Sequence, residues 1–234
     1  MAKAIDCGTS YYIAATENSI KKQRNVFLTV DGDAAQVKRM LKRQKIPFVE
    51  KAGKVHIVGQ HAFNYAQIFS TTELKRPMQS GLLNPKEKDA LPVLNAIIGE
   101  LVGKAKKDEV CVYCVPAKPI DQIREVSYHE DVLQQIIQGY GYDVKVIEES
   151  IALAYEGLVD NDLTGIAISM GAGMCNICVM YQGMSSLSFS VARGGDWVDQ
   201  NVANDCGCSI AKVIAIKENS NLLDITKSSV NDIY

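Results

Sequence analysis

Ile5-Asp6-Cys7-Gly8-Thr9-Ser10 near the start and Ser169-Met170-Gly171-Ala172-Gly173-Met174 well downstream read as one device used twice. Each stretch sits in a strand-like run, Ala4 to Ala15 and Gly165 to Tyr181, and each puts small residues at a sharp reversal. A strand-turn-strand of this kind points consecutive backbone N–H groups into one concavity, which suits an anion. Two such turns facing each other would grip a polyphosphate from both sides.

Working outward from the first turn, Asn25 to Val30 is a further strand-like stretch that ends at Asp31-Gly32-Asp33. Ala34 to Gln44 reads as a short helix whose Lys38, Arg39, Lys42 and Arg43 suit a solvated face better than a phosphate site. Val49 to Val58 reads as a hairpin closed at Ala52-Gly53, and His61 to Phe69 as a helix. The spacing of Leu91, Leu94, Ile97, Ile98 and Leu101 predicts a helix from about Pro85 to Lys106. Val110 to Val115 is apolar throughout, as in a central strand buried on both faces. A helix over Ile120 to Gly139 capped by Gly139, a strand over Asp143 to Ile147 and a short helix over Ser150 to Gly157 follow.

After Asp160-Asn161-Asp162 the pattern begins again. Strands are expected over Gly165 to Ile168, Asn176 to Tyr181 and Leu187 to Val191, with a turn at Gln182-Gly183. Helices from about Trp197 to Asp205 and Ser209 to Glu218 complete the repeat. The chain therefore reads as a duplicated α/β core. No G-x-G-x-x-G opens a helix, so a single dinucleotide-binding unit is a poor fit.

Composition sets limits. A chain of 234 residues, 47 % hydrophobic and 22 % charged, can bury one large core or two modest ones. A net charge of −2 gives no electrostatic case for nucleic-acid binding. No apolar run approaches the roughly 18 residues that cross a bilayer, and no signal-peptide pattern opens the chain, which points to the cytoplasm. The Cys111/Cys114 and Cys175/Cys178 pairs have zinc-like spacing, yet residues three apart in a strand face opposite sides. They read as buried thiols, as do Cys206 and Cys208 around Gly207. His56, His61 and His129 are scattered without ligand spacing, and Trp197 reads as packing.

Taken together these residues resemble the actin-like ATPase superfamily: actin itself, the bacterial rod-shape and magnetosome actins, the plasmid-segregating actins and, more distantly, the seventy-kilodalton heat-shock chaperones. Asp6 to Ser10 is similar to the first phosphate loop, and Ser169 to Met174 falls at the second. Glu73 to Gly81 resembles the stretch before a domain I helix in rod-shape actins. Ile147-Glu148-Glu149-Ser150 resembles the start of the connecting helix that carries the hydrolytic residue. Arg193 to Asp199 resembles the segment after the domain II hairpin, and Ile216-Lys217-Glu218 the nucleotide-contacting triplet of actin.

The resemblance implies duplicated ribonuclease-H-like domains around a nucleotide cleft. Residues 1–150 would form domain I, with a small insert at about 31–74, and 151–234 the start of domain II. The chain stops at Tyr234, before the family's adenosine loop and final helices, so an incomplete second domain with uncovered apolar helix faces is expected. Missing C-terminal sequence or a partner would then cover those faces.

ATP or ADP with Mg²⁺ would lie between Asp6, Gly8, Thr9 and Ser10 on one side and Ser169, Gly171, Ala172 and Gly173 on the other. Asp6 would hold the metal through water, with stabilisation of a turn as the alternative role. Glu148 and Glu149 are candidates to position the attacking water, the register favouring Glu148; helix-dipole stabilisation is the alternative. Gly195 and Asp196 would approach the nucleotide, Asp196 either reaching the metal or capping its helix. Lys217 and Glu218 would frame ribose and base or remain solvated. Ser169 stands where the family places Asp, which puts hydrolysis in more doubt than binding.

The expected function is a cytoplasmic, ATP-binding filament protein with slow Mg²⁺-dependent ATPase activity that assembles head to tail. Competing readings are a non-polymerising nucleotide sensor or chaperone-like ATPase, and a scaffold that has lost hydrolysis. A sugar or acetate kinase ranks last for want of a phosphoacceptor site. Nothing supports direct membrane attachment.

Overall fold

Residues 2–30, 34–68 and 74–219 are described by a computed structural model. The Asp31-Gly32-Asp33 turn, Phe69 and residues 220–234 lie outside the described residues. The chain opens as an antiparallel meander of β1 (Ala2–Cys7), β2 (Tyr11–Thr16) and β3 (Ser19–Arg24), with Cys7 paired to Tyr12 and Thr16 to Ser19. β3 has no counterpart in the sequence reading. Its Ser-Ile-Lys-Lys-Gln-Arg lacks apolar alternation because it is a solvated edge strand, where cations discourage further pairing.

An inserted sheet follows, built from β4 (Phe27–Val30), α1 (Ala34–Arg43), β5 (Phe48–Lys51), β6 (Lys54–Val58), α2 (Gly59–Ile68) and β7 (Leu74–Lys75), with strand order β5-β6-β4-β7. The β5–β6 turn falls at Ala52-Gly53, both at positive φ, as the sequence requires. Leu28, Leu41, Val55 and Ile57 form a separate small core here. A two-strand ribbon, β8 (Met78–Gln79) and β9 (Leu82–Leu83), brings the chain back to the cleft.

Helix α3 (Ala90–Val102) starts later than its apolar spacing suggests. The preceding residues are held in local turns, with the Lys86 N–H on Asn84 Oδ1 and the Glu87 N–H on the Asn84 carbonyl. It stops at Gly103, at φ +63°. β10 (Val110–Val115) is central, as expected, but only Cys111, Tyr113 and Val115 are buried; the alternate face looks toward the cleft. Helix α4 is shorter than expected, Val126–Gly139. Asp121 and Arg124, before it, are occupied by the Ala192 N–H and the Gln79 carbonyl. The left-handed residue after α4 is Gly141, at φ +91°, and not Gly139.

β11 (Asp143–Glu148) completes a five-stranded sheet of order β11-β10-β1-β2-β3, parallel on one side of β1 and antiparallel on the other. Ile5, Tyr12, Val93, Ile97, Tyr113, Leu133 and others fill the core between this sheet and α3 and α4. Helix α5 (Glu149–Gly157) runs straight on from β11 and packs on the second sheet through Ala154. That sheet is β12 (Gly165–Met170), β13 (Cys175–Tyr181) and β14 (Met184–Val191), an antiparallel meander matching β1–β3. Helices α6 (Gly195–Asp205) and α7 (Ile210–Asn219) follow.

The two meanders differ in cover. Ile5 and Cys7 are 0 % and 6 % exposed, whereas their equivalents Ile168 and Met170 are 59 % and 62 % exposed. Among the described residues nothing corresponding to β10 and β11 lies beside β12. Exposed apolar side chains lie on this sheet (Ile166, Ile168 and Met170) and on the helices of the same half (Leu153, Trp197 and Ile210). Trp197 also departs from its reading: it is 48 % exposed, with the Arg193 guanidinium 5.4 Å from its ring centroid. Cys111 and Cys178 are each buried while their partners in spacing, Cys114 and Cys175, lie on the opposite face of their strands and are half-buried; Cys206 and Cys208, expected as buried thiols, are likewise only half-buried.

Candidate functional site

The β1–β2 turn is closed by the Gly8 N–H on the Tyr11 carbonyl at 3.0 Å. The β12–β13 turn is closed by the Gly171 N–H on the Met174 carbonyl at 2.8 Å. Identical closure at equivalent positions makes the duplication geometric as well as topological. The turns face each other across a cavity of about 160 Å³ and touch at its rim. A Cβ added to Gly173 would lie 2.3 Å from Thr9 Oγ1 and 2.4 Å from the Gly81 nitrogen, so only glycine fits there.

Asp6 and Glu149 share this cavity with Gly8, Thr9, Ser10, Gly171, Ala172 and Gly173. Burial, with the Glu149 carboxylate adding to it, pushes the Asp6 carboxyl up to about 6. Glu149 accepts hydrogen bonds from Ser169 Oγ and, at 3.0 Å, from Asn176 Nδ2. Glu148 is elsewhere. It accepts from Ser188 Oγ and lines a separate groove with Lys118 and Arg124. The register favours Glu148, yet successive residues at this strand–helix junction diverge, and it is Glu149 that lines the cavity.

The remaining sequence candidates stand outside the cavity. The Gly195 and Asp196 N–H groups, at the start of α6, donate to the Gly171 and Ala172 carbonyls at 2.9 and 2.8 Å. The Asp196 side chain neither caps its helix nor enters the cavity; Arg76 Nη1 donates to both its oxygens at 2.8 and 2.7 Å. Lys217 pairs with the buried carboxylate of Asp199 at 2.6 Å, and Glu218 with Arg24 at 3.1 Å. Ser169 spends its one hydroxyl proton on Glu149, which leaves its oxygen able only to accept.

Three supports escaped the sequence reading. Asn25, fully buried, donates through Nδ2 to the Gly8 carbonyl at 3.1 Å and through its N–H to the Ser10 carbonyl at 2.9 Å, fixing the first turn. Asn176, 2 % exposed, holds Glu149 and accepts the Ala117 N–H at 3.2 Å. Its signal was present: an amide within the otherwise apolar Cys175–Tyr181 needs buried partners. Gly81 donates its N–H to Thr9 Oγ1 at 3.0 Å, joining the β8–β9 ribbon to the first turn. Burial also pushes the Cys114 thiol, on the cavity wall, up to about 12, which makes it a poor nucleophile or ligand.

The Volactin family model matches residues 1–232. The chain belongs to the Volactin family. Comparison with curated proteins gives no match. Among solved structures, this Volactin-family chain is similar to the MamK double helical filament, with TM-score 0.67 and 18 % identity over 93 % of this chain and 65 % of that one. It is also similar to MreB5 of Spiroplasma citri bound to ADP, at TM-score 0.59 and 13 % identity over 94 % of this chain and 57 % of that one. The same protein bound to AMPPNP gives TM-score 0.61 and 14 % identity over 98 % and 60 %. The fold is therefore actin-like. The chain spans between 57 % and 65 % of the length of these structures. No helix among the described residues is long and apolar enough to cross a membrane.

Proposed function

We propose that this chain binds ATP and ADP with Mg²⁺ between its two glycine turns, and that nucleotide state governs head-to-tail assembly into a cytoplasmic filament. The observation that carries the reading is the pair of equivalent turns meeting around a cavity that also holds Asp6 and Glu149. Backbone N–H groups converging from two sides suit phosphate oxygens. MreB5 of Spiroplasma citri, bound to ADP or AMPPNP, and MamK, seen as a filament, share the fold and lend support.

Among the described residues no group of three or more His, Cys, Asp or Glu side chains is arranged to hold a metal. Asp6 and Glu149 offer hard oxygens instead, which fits Mg²⁺ carried on phosphate oxygens and waters. Asp6 would hold those waters, and the bound ion would supply neutralisation of phosphate charge. Glu149, fixed by Ser169 and Asn176, would orient a water toward the terminal phosphate, positioning being most of what phosphoryl transfer asks of the protein. Gly195, Asp196, Lys217 and Glu218, outside the cavity, would approach the nucleoside only on rearrangement of their present partners.

Calorimetric titration with Mg-ATP and Mg-ADP tests binding; a flat trace with folded protein removes the proposal. Sedimentation with and without ATP tests assembly, and a species that stays monomeric at high concentration counts against it. A second reading, binding without turnover, is favoured by Ser169, which brings no carboxylate to the second turn. Phosphate release under single-turnover conditions separates the two.

A further inference from the structure

Strand β6 is buried on both of its faces, and the two faces meet different neighbours. Val55 and Ile57 point into the small core of the inserted sheet, with Leu41 of α1 and Ala62 of α2. The alternate residues turn the other way, toward α3, which packs on β5 and β6. On that second face Phe27 and Val58, with Val49 beside them, join the large core of the first half. His56 stands among them and is 0 % exposed.

The ring is only half satisfied. Thr29 Oγ1 and His56 Nδ1 are hydrogen-bonded at 3.1 Å, and the Phe27 ring meets the imidazole at 80° with centroids 5.6 Å apart. Nε2 has no hydrogen-bond partner among the described residues. It faces Asp89, whose Oδ2 lies 3.8 Å away, too far for a hydrogen bond. Asp89 immediately precedes α3 yet makes no capping bond to it. Its other oxygen is taken by Lys51 Nζ at 3.1 Å, and Lys51 also donates to the Lys88 carbonyl. Beside them Lys75 pairs with Glu87 at 3.6 Å. The inserted sheet is thus tied to residues 87–89 by charges, with a buried imidazole behind them.

The charged groups facing the ring are Asp89 and Glu87 from the segment before α3, and Lys51 and Lys54 from the β5–β6 hairpin. From β4 come only Thr29 and Phe27, and α1 and α2 pack on the opposite face of the sheet. Desolvation outweighs the two acids and lowers the pKa of His56 from the ordinary 6.5. An imidazolium carries two N–H donors, and here the second would face a carboxylate out of reach. A buried cation without that bond is strongly disfavoured. Protonation is therefore met only by movement, in which the ring and Asp89 gain water as the hairpin parts from α3.

We propose that His56 is a proton-sensitive pin in the joint between the inserted sheet and α3, seating the sheet while the ring is neutral and unseating it when the ring is protonated. The seated state takes the proton less readily than the parted one, whose ring is hydrated. Seating is thus fully present above pH 6.5 and weakens as pH falls below it. Gln23 serves as the pivot: its Oε1 accepts the Gln60 N–H at 2.8 Å and its Nε2 donates to Glu100 at 2.9 Å, contacts in which the ring has no part.

The test is amide hydrogen exchange on nucleotide-free protein at pH 7.5 and 5.5, corrected for the intrinsic effect of pH on exchange. The amides of Lys86, Glu87, Asp89 and Ala90, held in local turns next to the joint, should exchange faster at pH 5.5. The ceiling is about tenfold, set by one pH unit below 6.5. The Gln60 amide and the β4–β6 ladder should stay protected. His56→Leu, close in volume and without a proton to take, should abolish the rise. Lys54→Glu, an exposed substitution that turns an acid toward the ring in place of a cation, should keep the histidine and shrink the rise. A wild type without the rise, an equal rise in His56→Leu, or loosening of the β4–β6 ladder along with residues 86–90 overturns the pin. Should His56→Leu fail to fold, Lys54→Glu decides alone, and an undiminished rise there overturns it as well.

Discussion

Ser169 Oγ donates to Glu149 Oε1, so the one position where a second-turn carboxylate is expected is used to hold the cavity's own glutamate. A carboxylate at 169 would instead add a third negative group beside Asp6 and Glu149. In the absence of Mg²⁺ that repulsion is uncompensated.

Ser169→Asp should accordingly lower stability by about 1–2 kcal/mol in metal-free buffer, through repulsion and loss of a hydrogen bond to a charged group. Added Mg²⁺ should restore most of this loss while leaving wild type nearly unchanged. Urea unfolding with and without Mg²⁺ measures the difference. A variant indifferent to the ion would show that the three side chains do not share one site.

The two glutamates should separate cleanly in activity. Glu149→Gln keeps its shape and its bond from Asn176, reverses the bond to Ser169 and loses the charge that orients water, and phosphate release should fall by about a hundredfold at unchanged nucleotide affinity. Glu148→Gln, whose side chain lies in another groove, should alter release by less than about twofold. Equal losses in both would return the role to the junction as a whole.

Gly173→Ala should be severely disruptive, because its methyl group would meet Thr9 Oγ1 and the Gly81 backbone nitrogen at 2.3 and 2.4 Å. The backbone contact cannot be relieved by a rotamer change, so a cost of about 2–3 kcal/mol and loss of nucleotide binding are expected. Gly139→Ala is the contrast. It lies in the last turn of α4 with nothing within 4 Å of the new methyl, and should stabilise by about 0.5–1 kcal/mol. Thermal or urea unfolding of the two variants decides both.

Legibility of the site in the sequence followed a physical divide. The turns at Gly8–Ser10 and Gly171–Gly173 were readable because a sharp reversal beside a backbone-binding concavity demands small residues, a requirement local to the chain. β10 and the hairpins at Ala52-Gly53 and Gln182-Gly183 were readable for similar reasons. β3 was not, since its exposed edge imposes no apolar pattern. The choice of Glu149 over Glu148 depends on how β11 passes into α5, a single-residue question of direction that periodicity cannot resolve. The meeting of Arg76 with Asp196 is a long-range event that leaves no local trace in the sequence.

A final prediction concerns pH, where two buried groups act in opposite directions over one window. Asp6 has its carboxyl raised from the ordinary 3.8 to about 6, chiefly by burial. The native state then binds a proton that the unfolded chain does not, so its contribution is fully present below about pH 4 and is lost as pH rises through 6. His129 lies buried in α4 with neither ring nitrogen hydrogen-bonded within the protein, and burial lowers its pKa from 6.5 to about 4. Here the unfolded chain takes the proton first, so its contribution is present above pH 6.5 and is lost as pH falls toward 4. Each shift corresponds to roughly 3 kcal/mol, and the two nearly cancel in the wild type between pH 4 and 6. Asp6→Asn should unmask the histidine, giving nucleotide-free protein that weakens on acidification relative to wild type. His129→Leu should unmask the aspartate and give relative strengthening over the same interval. Urea titrations at half-unit pH steps measure both difference profiles; parallel profiles for the two variants would mean that at least one of these groups does not feel the burial assigned to it.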